Sequence, residues 1–395
     1  MDSLTVLAEA MQWEVDTVPP ATGRPDRGRA PCGASSRPHN GRESSVTDAK
    51  GRQLPIYQAS GPGGRRFPLL KAMLTTACER DCHYCAFRAG RSMRRATFKP
   101  EEMANAFDDL RRAGQVEGLF LSTGILGGGP NTQNRLIDTT EILRRQGFGG
   151  YIHLKIMPGV ERGQVERAMR LANRVSLNLE GPSAGRLEGL APHKDFEREL
   201  LAPLLWMEEI RKAAPGAARP SSSATQFVVG AGEESDVEIL SMTERLYRQA
   251  GLSRAYFSAF DPLPDTPLEN HPAENPLREH RLYQASYLLR DYGFGLEDLP
   301  FDRAGRLPLD RDPKQAYAEA HLSHAPVEVN RGSPEELRRV PGFGPASVER
   351  LLSARRVRRL RHPGQLRALG ILAERAAPYI LLDGKRPPLQ GRLAL

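Results

Sequence analysis

Three cysteines, Cys78, Cys82 and Cys85, stand within eight residues of one another, while the fourth, Cys32, stands alone. A secreted disulfide scaffold of this length usually carries more cysteines, spread along the chain. Three thiolates in one tight loop can each bind one iron of a cubane, which leaves the fourth iron open to a substrate or co-substrate. The alternative is a zinc site of these cysteines and a histidine such as His83. Zinc sites usually combine two distant pairs of ligands, however, and this sequence lacks a second pair.

The elements that must position this loop alternate along the chain. From about residue 68, six apolar strand-like runs are each followed by an amphipathic helical stretch, and the cysteines come directly after the first run. Six such units predict a parallel sheet, and six are fewer than the eight of a full barrel. We therefore expect an α/β fold, a partial (β/α)6 TIM-like barrel over residues 67–325. Its active-site groups should lie at the carboxyl ends of the strands.

The two ends of the chain differ from this core. Residues 1–66 predict an N-terminal helix over 1–17, followed by a loosely ordered segment rich in Pro, Gly, Ser and Arg. Residues 326–390 predict a small all-α module. No apolar run approaches the roughly 20 residues of a membrane-spanning helix, and the N-terminus lacks the layout of a secretory signal. We expect a cytoplasmic location and no membrane partner.

The C-terminal module holds most of the net charge of +8, with ten arginines and three glutamates between Arg331 and Arg367. Ser333 is a typical helix N-cap, with Pro334 at the first helical position and Glu336 three residues after the cap. The glycine-rich turn that follows predicts two short helices joined by a sharp bend. A basic face of this kind is either a solvated packing surface or a track for phosphates.

The spacing C-x3-C-x2-C, with Tyr84 before the last cysteine and a strand before the first, resembles the signature of the radical SAM superfamily. The resemblance implies a [4Fe-4S] cluster on the three cysteines and S-adenosylmethionine (SAM) on the open iron. One electron passed through the cluster would yield methionine and a 5′-deoxyadenosyl radical. Tyr84 would have its backbone near the adenine.

The same resemblance implies further SAM-binding residues. Where members often have a Gly-Gly-Glu turn after the second strand, this chain has Ser122, Thr123 and Gly124, without the acid. Ser176, Asn178 and Glu180 alternate on the fourth strand, so they share one face, and a buried hydrogen-bond network without a ligand is the alternative for them. Two more candidates, on the fifth and third strands, are Val229 and Lys155; a solvated lysine is the alternative for the latter.

Leu337-x-x-Val340-Pro341-Gly342-Phe343-Gly344 is similar to the helix-hairpin-helix motif of DNA repair proteins, in which turn amides bind a backbone phosphate. The resemblance implies a nucleic-acid interface made by Gly342, Phe343, Gly344, Ser347 and Arg350. A degenerate second copy is expected in residues 365–379. The surrounding arginines would continue the phosphate track: Arg338, Arg339, Arg355, Arg356, Arg358, Arg359 and Arg361.

Taken together, these segments resemble a family described as putative DNA modification or repair radical SAM proteins. The resemblance implies modification or repair of DNA, an electron donor such as flavodoxin or ferredoxin, and a companion protein of the uracil-DNA glycosylase type. Two other functions stay open: a radical SAM enzyme that modifies RNA such as tRNA, and a non-catalytic iron-sulfur protein that binds nucleic acid. Cys32 could return a hydrogen atom to a substrate radical, but a passive surface thiol is the simpler interpretation.

Overall fold

The computed structural model describes residues 55–60, 65–214 and 221–388. The predicted helix over 1–17 and Cys32 lie outside the described residues. The segment 1–66 was predicted to be loosely ordered, with room for a short ordered stretch near residues 54–58, and Ile56–Ser60 forms a β-strand there. This strand pairs antiparallel with the first predicted strand, which supplies the backbone partners that an isolated extended segment would lack.

A seven-stranded sheet forms the centre of the fold, and its strands are adjacent in the order in which they occur in the sequence. Strands β2 to β7 pair in parallel, and β1 and β7 are the two edges. The partial α/β barrel predicted from six β-then-α units is therefore confirmed. The strands are β1 (Ile56–Ser60), β2 (Arg66–Met73), β3 (Gly118–Ser122), β4 (Tyr151–Lys155), β5 (Arg174–Ser176), β6 (Ser222–Val229) and β7 (Arg254–Ala259).

Helices follow the parallel strands in the chain. Two of them include π-helical turns, Phe196–Leu201 before α5 and Leu288–Tyr292 after α7. The helices are α1 (Pro100–Arg112), α2 (Gly129–Arg145), α3 (Arg162–Leu171), α4 (Ala184–Glu188), α5 (Ala202–Ala213), α6 (Asp236–Gln249), α7 (Pro276–Tyr287) and α8 (Pro313–His321). The lysine-proline and aspartate-proline pairs that open α1 and α8 place proline at a first-turn position, where its missing N–H costs nothing.

The two faces of the sheet differ in chemistry. Leu119, Leu121, Ile152, Leu154 and Val175 alternate along three neighbouring strands, and none of them is exposed. The residues between them include several polar side chains that face the other side, as the two-residue period of a strand requires. The apolar face packs as core, so the polar face is the one available for chemistry.

The chain divides into two compact units. One comprises residues up to Glu233 together with Leu246–Glu274, and the other comprises Glu234–Arg245 and the chain from Asn275 onward. Residues 275–325, which the sequence assigned to the barrel domain, therefore pack with the C-terminal helices.

The sequence predicted an all-helical module beyond residue 326, but this part of the second unit also contains strands. Two short strands, β8 (Val327–Glu328) and β9 (Ile380–Leu381), pair in parallel there. They bring the start and the end of the module together, and a dedicated hydrophobic core lies among the helices. These helices are α9 (Pro334–Arg339), α10 (Pro345–Val357), α11 (Pro363–Ala368) and α12 (Ala373–Ala376).

Within the described ranges, none of the helices combines the length and the apolar character that crossing a membrane would require.

Candidate functional site

The cysteine loop begins where β2 ends and lies on the carboxyl end of β3. Backbone hydrogen bonds join Leu74 N to Ser122 O (2.8 Å) and Gly124 N to Thr75 O (2.7 Å). A Cβ atom added at Gly124 would lie 2.2 Å from the carbonyl oxygen of Ala77, closer than nonbonded atoms approach. Glycine is thus needed at position 124 because the cysteine loop packs directly on it.

The three thiols share one environment of low polarity. Cys82 is buried, and the other two are half-buried. Burial raises the pKa of Cys82, and it raises the pKa of Cys85 to about 12. Two backbone amides point at sulfur, Ile125 N at Cys78 Sγ and Phe87 N at Cys85 Sγ, each at 3.4 Å. Thiolates here need the positive charge of a bound metal, and amide donors of this kind are a known means of stabilising cluster sulfurs.

The arrangement suits a cubane better than a single ion. Within the described ranges, no three His, Cys, Asp or Glu side chains are grouped as ligands of one metal ion. A cubane needs a wider arrangement because each thiolate binds a different iron. The three thiols still affect one another electrostatically, since the other two cysteines each contribute to the raised pKa of Cys85. The donor set therefore fits a [4Fe-4S] cluster.

The guanidinium of Arg95 links the chain before the cysteines to the chain after them. Arg95 donates to four backbone carbonyls, those of Thr76 (2.6 Å), Phe87 (2.8 Å), Arg88 (2.9 Å) and Arg91 (3.2 Å). Four carbonyls converging on one side chain fix the path of the chain on both sides of the cysteines. Only a planar guanidinium offers donors in this fork geometry.

The segment after β5 clamps the first half of the loop. Arg80 donates to His193 O and, at 2.7 Å, to Glu199 Oε1. Asp81 Oδ2 lies 2.8 Å from His193 Nδ1, and this hydrogen bond lowers the pKa of the carboxyl. The amide of His83 donates to Leu190 O at 2.8 Å.

Sequence reasoning missed these clamp residues. Arg80 and Asp81 were visible inside the motif as charged residues, whereas His193 and Glu199 have no signal of their own. A further contact was also missed: Glu79 accepts from the amides of Gly127 and Gly128, each at 3.0 Å.

Of the polar row predicted on the fourth parallel strand, only Ser176 lies within β5, whereas Asn178 and Glu180 follow the end of the strand. Each of the three residues has a protein partner. Ser176 Oγ lies 2.8 Å from His153 Nε2, and Lys155 Nζ donates to Asn178 Oδ1. Glu180 is buried at the end of this row with a positive φ of 66°. Its Oε1 pairs with Lys194 Nζ at 3.1 Å. The row is thus a buried hydrogen-bonded network even without a ligand.

Lys194 and Glu180 connect this network to the cysteines. Burial alone would lower the pKa of Lys194, but the charges of Cys82 and Glu180 raise it well above its ordinary value. Burial, followed by the charge of Glu180, raises the pKa of Tyr84. The second carboxylate oxygen of Glu180 is buried and has no hydrogen-bond partner. A buried oxygen of this kind suits a polar group of a bound molecule, because leaving it unsatisfied carries a free-energy cost.

A comparison with protein families matches residues 73–202 to the model of the radical SAM superfamily. Residues 73–202 belong to the radical SAM superfamily. Its members are enzymes that use a [4Fe-4S] cluster and SAM, and both cofactors are assigned to this segment. The match covers the cysteine loop, Ser122–Gly124, the polar row and the clamp.

Solved structures similar to the chain include methylornithine synthase (PylB), at 16% identity and a TM-score of 0.46, which covers 56% of this chain and 61% of that chain. The [FeFe]-hydrogenase maturase HydG from Carboxydothermus hydrogenoformans has 14% identity and a TM-score of 0.46, with 56% and 51% covered. The radical SAM methyltransferase TsrM from Kitasatospora setae has 12% identity and a TM-score of 0.39, with 55% and 40% covered. The chain spans less than two thirds of each of these proteins. A search of curated proteins finds no match.

The remaining predicted SAM contacts of the radical SAM segment lie near its strand ends. Ser122 and Thr123 are buried, and Thr123 Oγ1 donates to Gly124 O at 2.8 Å. Lys155 is also buried, on the same side of the sheet as its neighbour Ser176. Val229, at the end of β6, has a fully buried side chain, and its carbonyl accepts from Phe260 N at 2.8 Å. Contact of these residues with SAM stays a prediction.

Six cationic or potentially cationic side chains lie on the parallel strands β2 to β7, and none of these strands contains Asp or Glu. Burial lowers the pKa of His153, and the nearby charges of Arg174, Lys155 and Lys71 lower it further. His153 is therefore neutral, and its ring accepts or donates a hydrogen bond without adding charge. The six residues are Arg66, Lys71, His153, Lys155, Arg174 and Arg254.

In the second unit, the two short helices predicted on either side of the glycine turn are present. Helices α9 and α10 flank the turn, and the capping box at Ser333 is confirmed, with Glu336 N to Ser333 Oγ at 3.1 Å and Ser333 N to Glu336 Oε2 at 2.7 Å. Gly342 has φ 86°, and a Cβ there would lie 2.7 Å from Leu372 O. Phe343 is buried in the core of the unit, so only its backbone is available to a ligand.

The predicted interface residues after the turn are largely occupied by contacts within the protein. Gly344 N donates to Ser347 Oγ at 2.8 Å, and the same hydroxyl donates to Gly344 O at 2.8 Å. The first helical bond of α10 runs from Val348 N to Gly344 O (2.9 Å). The amides of Ala346 and Ser347 precede it and are the ones that a helix start leaves for a ligand.

The side chain of Arg350 donates a hydrogen bond to a second turn of the protein. Its Nε donates to Leu369 O at 2.9 Å, in the bend between α11 and α12 where the degenerate second copy was expected. Gly370 in this bend has φ 74°.

Six of the eight arginines around the hairpin contact protein groups: Arg338, Arg339, Arg350, Arg355, Arg359 and Arg361. Arg356 and Arg358 are exposed and make no side-chain hydrogen bond or ion pair with any described residue.

Proposed function

We propose that this chain is a radical SAM enzyme that acts on a nucleotide in DNA, in modification or repair. The observation that carries the DNA assignment is the hairpin. Its glycine turn precedes a 13-residue helix whose first amides are left for a ligand, and exposed arginines lie at the far end of that helix. Amides at a helix start, with the helix dipole behind them, are a phosphate-binding arrangement.

In the radical SAM segment, Cys78, Cys82 and Cys85 would hold the cluster. When bound, the cluster and SAM supply a 5′-deoxyadenosyl radical after one-electron reduction. The free oxygen of Glu180, charged through its pairing with Lys194, is suited to the methionine ammonium group of SAM. This gives Glu180 the role that the acid of a Gly-Gly-Glu turn would have, while Ser122 and Thr123 offer hydroxyls at the neighbouring strand end.

Other predicted contacts would complete the SAM site. Ser176, held by His153, and Asn178, held by Lys155, present fixed polar groups at the end of one strand and just beyond it. Tyr84 and Val229 would border the adenine through their backbones. Ser176 and Asn178 are oriented by protein partners before SAM arrives, so little ordering cost remains for these two contacts.

On the nucleic-acid side, contacts to phosphates position the chain without reading sequence. Binding should therefore be independent of sequence and should weaken steeply with salt. A radical formed in the interior of a barrel cannot reach a base within an intact duplex. The target nucleotide would have to be flipped out or exposed at a lesion.

Two partners follow from the proposal. A one-electron donor such as flavodoxin or ferredoxin would reduce the cluster, and a companion of the uracil-DNA glycosylase type would act on the same DNA. Cys32 is the one thiol of the chain outside the cysteine loop. If Cys32 returned a hydrogen atom to the substrate radical, the product would contain as many hydrogen atoms as the substrate.

The test is an anaerobic incubation of reconstituted full-length protein with SAM, dithionite and duplex DNA that carries varied lesions. We expect 5′-deoxyadenosine and methionine, together with a mass change in the DNA. Absence of both SAM products with every DNA would overturn the enzymatic proposal. The matched control contains the protein in which all three loop cysteines are replaced by alanine.

Two outcomes would redirect the proposal. If tRNA competes with duplex DNA and is the nucleic acid that changes in mass, the enzyme acts on RNA. If DNA affinity survives loss of the cysteines and SAM does not perturb the electron paramagnetic resonance signal of the cluster, the protein is a non-catalytic iron-sulfur protein that binds nucleic acid.

A further inference from the structure

The C-terminal unit contains a polar cavity of about 300 Å³ that the hairpin does not use. It lies where β8, the end of α10 and the turn after β9 meet. Its lining is almost entirely charged or polar, and comprises Glu328, Asn330, Arg331, Arg355, Arg359 and Asp383.

The carboxylates of this lining are already saturated. Glu328 accepts from the amides of Asn330 (3.0 Å), Asp383 (3.3 Å) and Gly384 (2.7 Å). Asp383 Oδ1 pairs with Arg359 at 2.9 Å, and its Oδ2 pairs with Arg361 at 3.2 Å. Neither carboxylate therefore has an oxygen free of a donor with which to bind a cation from solution.

The guanidiniums, in contrast, have N–H donors that are not used in the contacts described here. Arg355 uses Nη1 for the carbonyls of Val329 (3.1 Å) and Gly332 (2.7 Å), and the donors on its other nitrogens remain. Arg331 is exposed at the rim and makes no side-chain hydrogen bond or ion pair with any described residue. Counting Arg361, four guanidiniums stand against two carboxylates, so the cavity favours an anion. Guanidinium forks match the oxygens of phosphate and carboxylate.

The position of the cavity relates it to the hairpin. Arg355 lies ten residues along α10 from Pro345, which places it about 15 Å from the turn at 1.5 Å per residue. Phosphates of one DNA strand recur every 3.4 Å along the helix axis. A phosphate in the cavity would therefore be a different one from that at the turn, several nucleotides away or on the opposite strand.

We propose that this cavity binds a second backbone phosphate of the DNA that the hairpin turn grips. The inference rests on the proposed function, because it takes nucleic acid as the ligand. It assigns Arg331 and Arg359 to phosphate contact, with Arg355 as the positioning residue that shapes the wall. Two fixed phosphate contacts set the direction of the strand across the unit, which one contact cannot do.

The experiment measures binding of the full chain to a 20-base-pair duplex between 50 and 200 mM NaCl. We compare wild type with Arg331→Gln, Arg331→Lys and Arg303→Gln. Arg303 is an exposed arginine of the same unit that lies far from the cavity in sequence. Melting temperatures should be equal, since neither Arg331 nor Arg303 has a side-chain hydrogen bond or ion pair with a described residue to lose.

We expect Arg331→Gln to lower the slope of log K against log[salt] by about 0.9, the value for one phosphate, and to weaken binding at 100 mM salt roughly fivefold. Arg331→Lys should keep the slope, because the charge remains. Arg303→Gln should match wild type.

Four results would overturn the proposal. Equal losses for Arg331→Gln and Arg303→Gln would show diffuse attraction rather than a cavity. An unchanged slope for Arg331→Gln, with Gly344→Asp still abolishing binding, would remove the cavity and leave the proposed function intact. A slope change with tRNA but not with duplex DNA would remove DNA as the ligand. If wild type binds no duplex at all, the proposed function fails together with the cavity.

Discussion

The cysteine loop and the C-terminal hairpin both contain arginines, but the arginines have different roles in the two regions. In the loop, Arg95 and Arg80 donate to backbone carbonyls and a carboxylate. These bonds hold the loop that carries the three thiols. In the hairpin, part of the arginine set does the same, but helix-start amides and some exposed guanidiniums remain for a ligand. The loop is thus a preorganised interior site, and the hairpin is, in our proposal, a surface that binds DNA through charge.

The comparison also shows what a count of arginines can mean. The hairpin region has ten arginines between Arg331 and Arg367, which suggests as many phosphate contacts. Arg350 and Arg355 instead donate to carbonyls within the protein. A guanidinium joins distant backbone segments as readily as it binds a phosphate. The number of phosphates that the proposed interface could bind is therefore smaller than the charge suggests.

The largest expected effect separates the two regions completely. Cys82→Ala should abolish bound iron, the visible absorbance of the cluster and SAM cleavage, because the cubane loses one of its three protein ligands. DNA affinity should stay within twofold of wild type. Iron content, absorbance and fluorescence anisotropy measure these quantities. Cys32→Ser is the matched control and should keep its iron; iron retained by Cys82→Ala would contradict the assignment of the cluster.

The second prediction changes the hairpin turn and leaves the cysteine loop intact. Gly344→Asp should weaken DNA binding by at least tenfold, because it places a carboxylate beside the amides that would hold a phosphate. A Cβ at this position meets no atom closer than 3.6 Å, so the fold should tolerate it. Gly364→Asp adds the same charge in the same unit at a site with open space, and should have little effect. Equal losses in the two variants would mean that only net charge matters.

The role of arginine as an interior brace is tested by Arg95→Lys. An ammonium group cannot reach four carbonyls from one position, so we expect cluster occupancy to fall several-fold and the cluster to be lost faster to a chelator. DNA binding should not change. Arg94→Lys makes the same substitution at the neighbouring exposed position. If the two variants lost their clusters at the same rate, Arg95 would not brace the loop.

Lys194→Met asks whether the buried network has a structural role beside its proposed role in binding SAM. It leaves Glu180 as an unpaired buried carboxylate, which should lower the free energy of unfolding of the cluster-free protein by roughly 3 kcal/mol. Adding Glu180→Gln should recover part of this loss. Urea titration followed by circular dichroism gives both values. Unchanged stability, together with weaker SAM binding, would limit the pair to a cofactor role.

A gradual, pH-dependent effect concerns Lys314, whose ammonium lies 2.5 Å from Phe343 O and 4.4 Å from the centre of the Tyr292 ring. Burial lowers its pKa from 10.5 to about 7, with Asp312 opposing this shift and Arg375 adding to it. The unfolded chain therefore binds more protons between pH 7 and 10.5. Stability should rise with pH across this window, by roughly 1 kcal/mol per unit at most.

Lys314→Met should remove this rise, and unfolding of the full-length variant at several pH values between 7 and 10 measures it. Lys385→Met, a change at an exposed lysine of the same unit, is the control and should keep the rise. A rise that persists in Lys314→Met would assign the titration to another group.

Much of the fold and of the loop could be predicted because their signals are local. The six β-then-α units, the cysteine spacing and the capping box at Ser333 each depend on residues a few positions apart, where periodicity and steric rules apply directly. At β1 the sequence indicated only a short ordered stretch, because a five-residue edge strand among glycines and prolines shows little alternation. Phe343 was assigned to an interface by its motif, whereas its size and apolar character place its side chain in the core.

By itself, the sequence determined the order of strands and helices and the position of the sharp turn, and it predicted the three cluster ligands. Only the tertiary structure decided that Lys194 pairs with Glu180, that residues 113 positions apart clamp the loop, and which arginines remain exposed. The physical reason is that a parallel sheet brings together strand ends that are distant in the chain. Such contacts leave no period in the sequence, since each depends on where every intervening helix returns the chain.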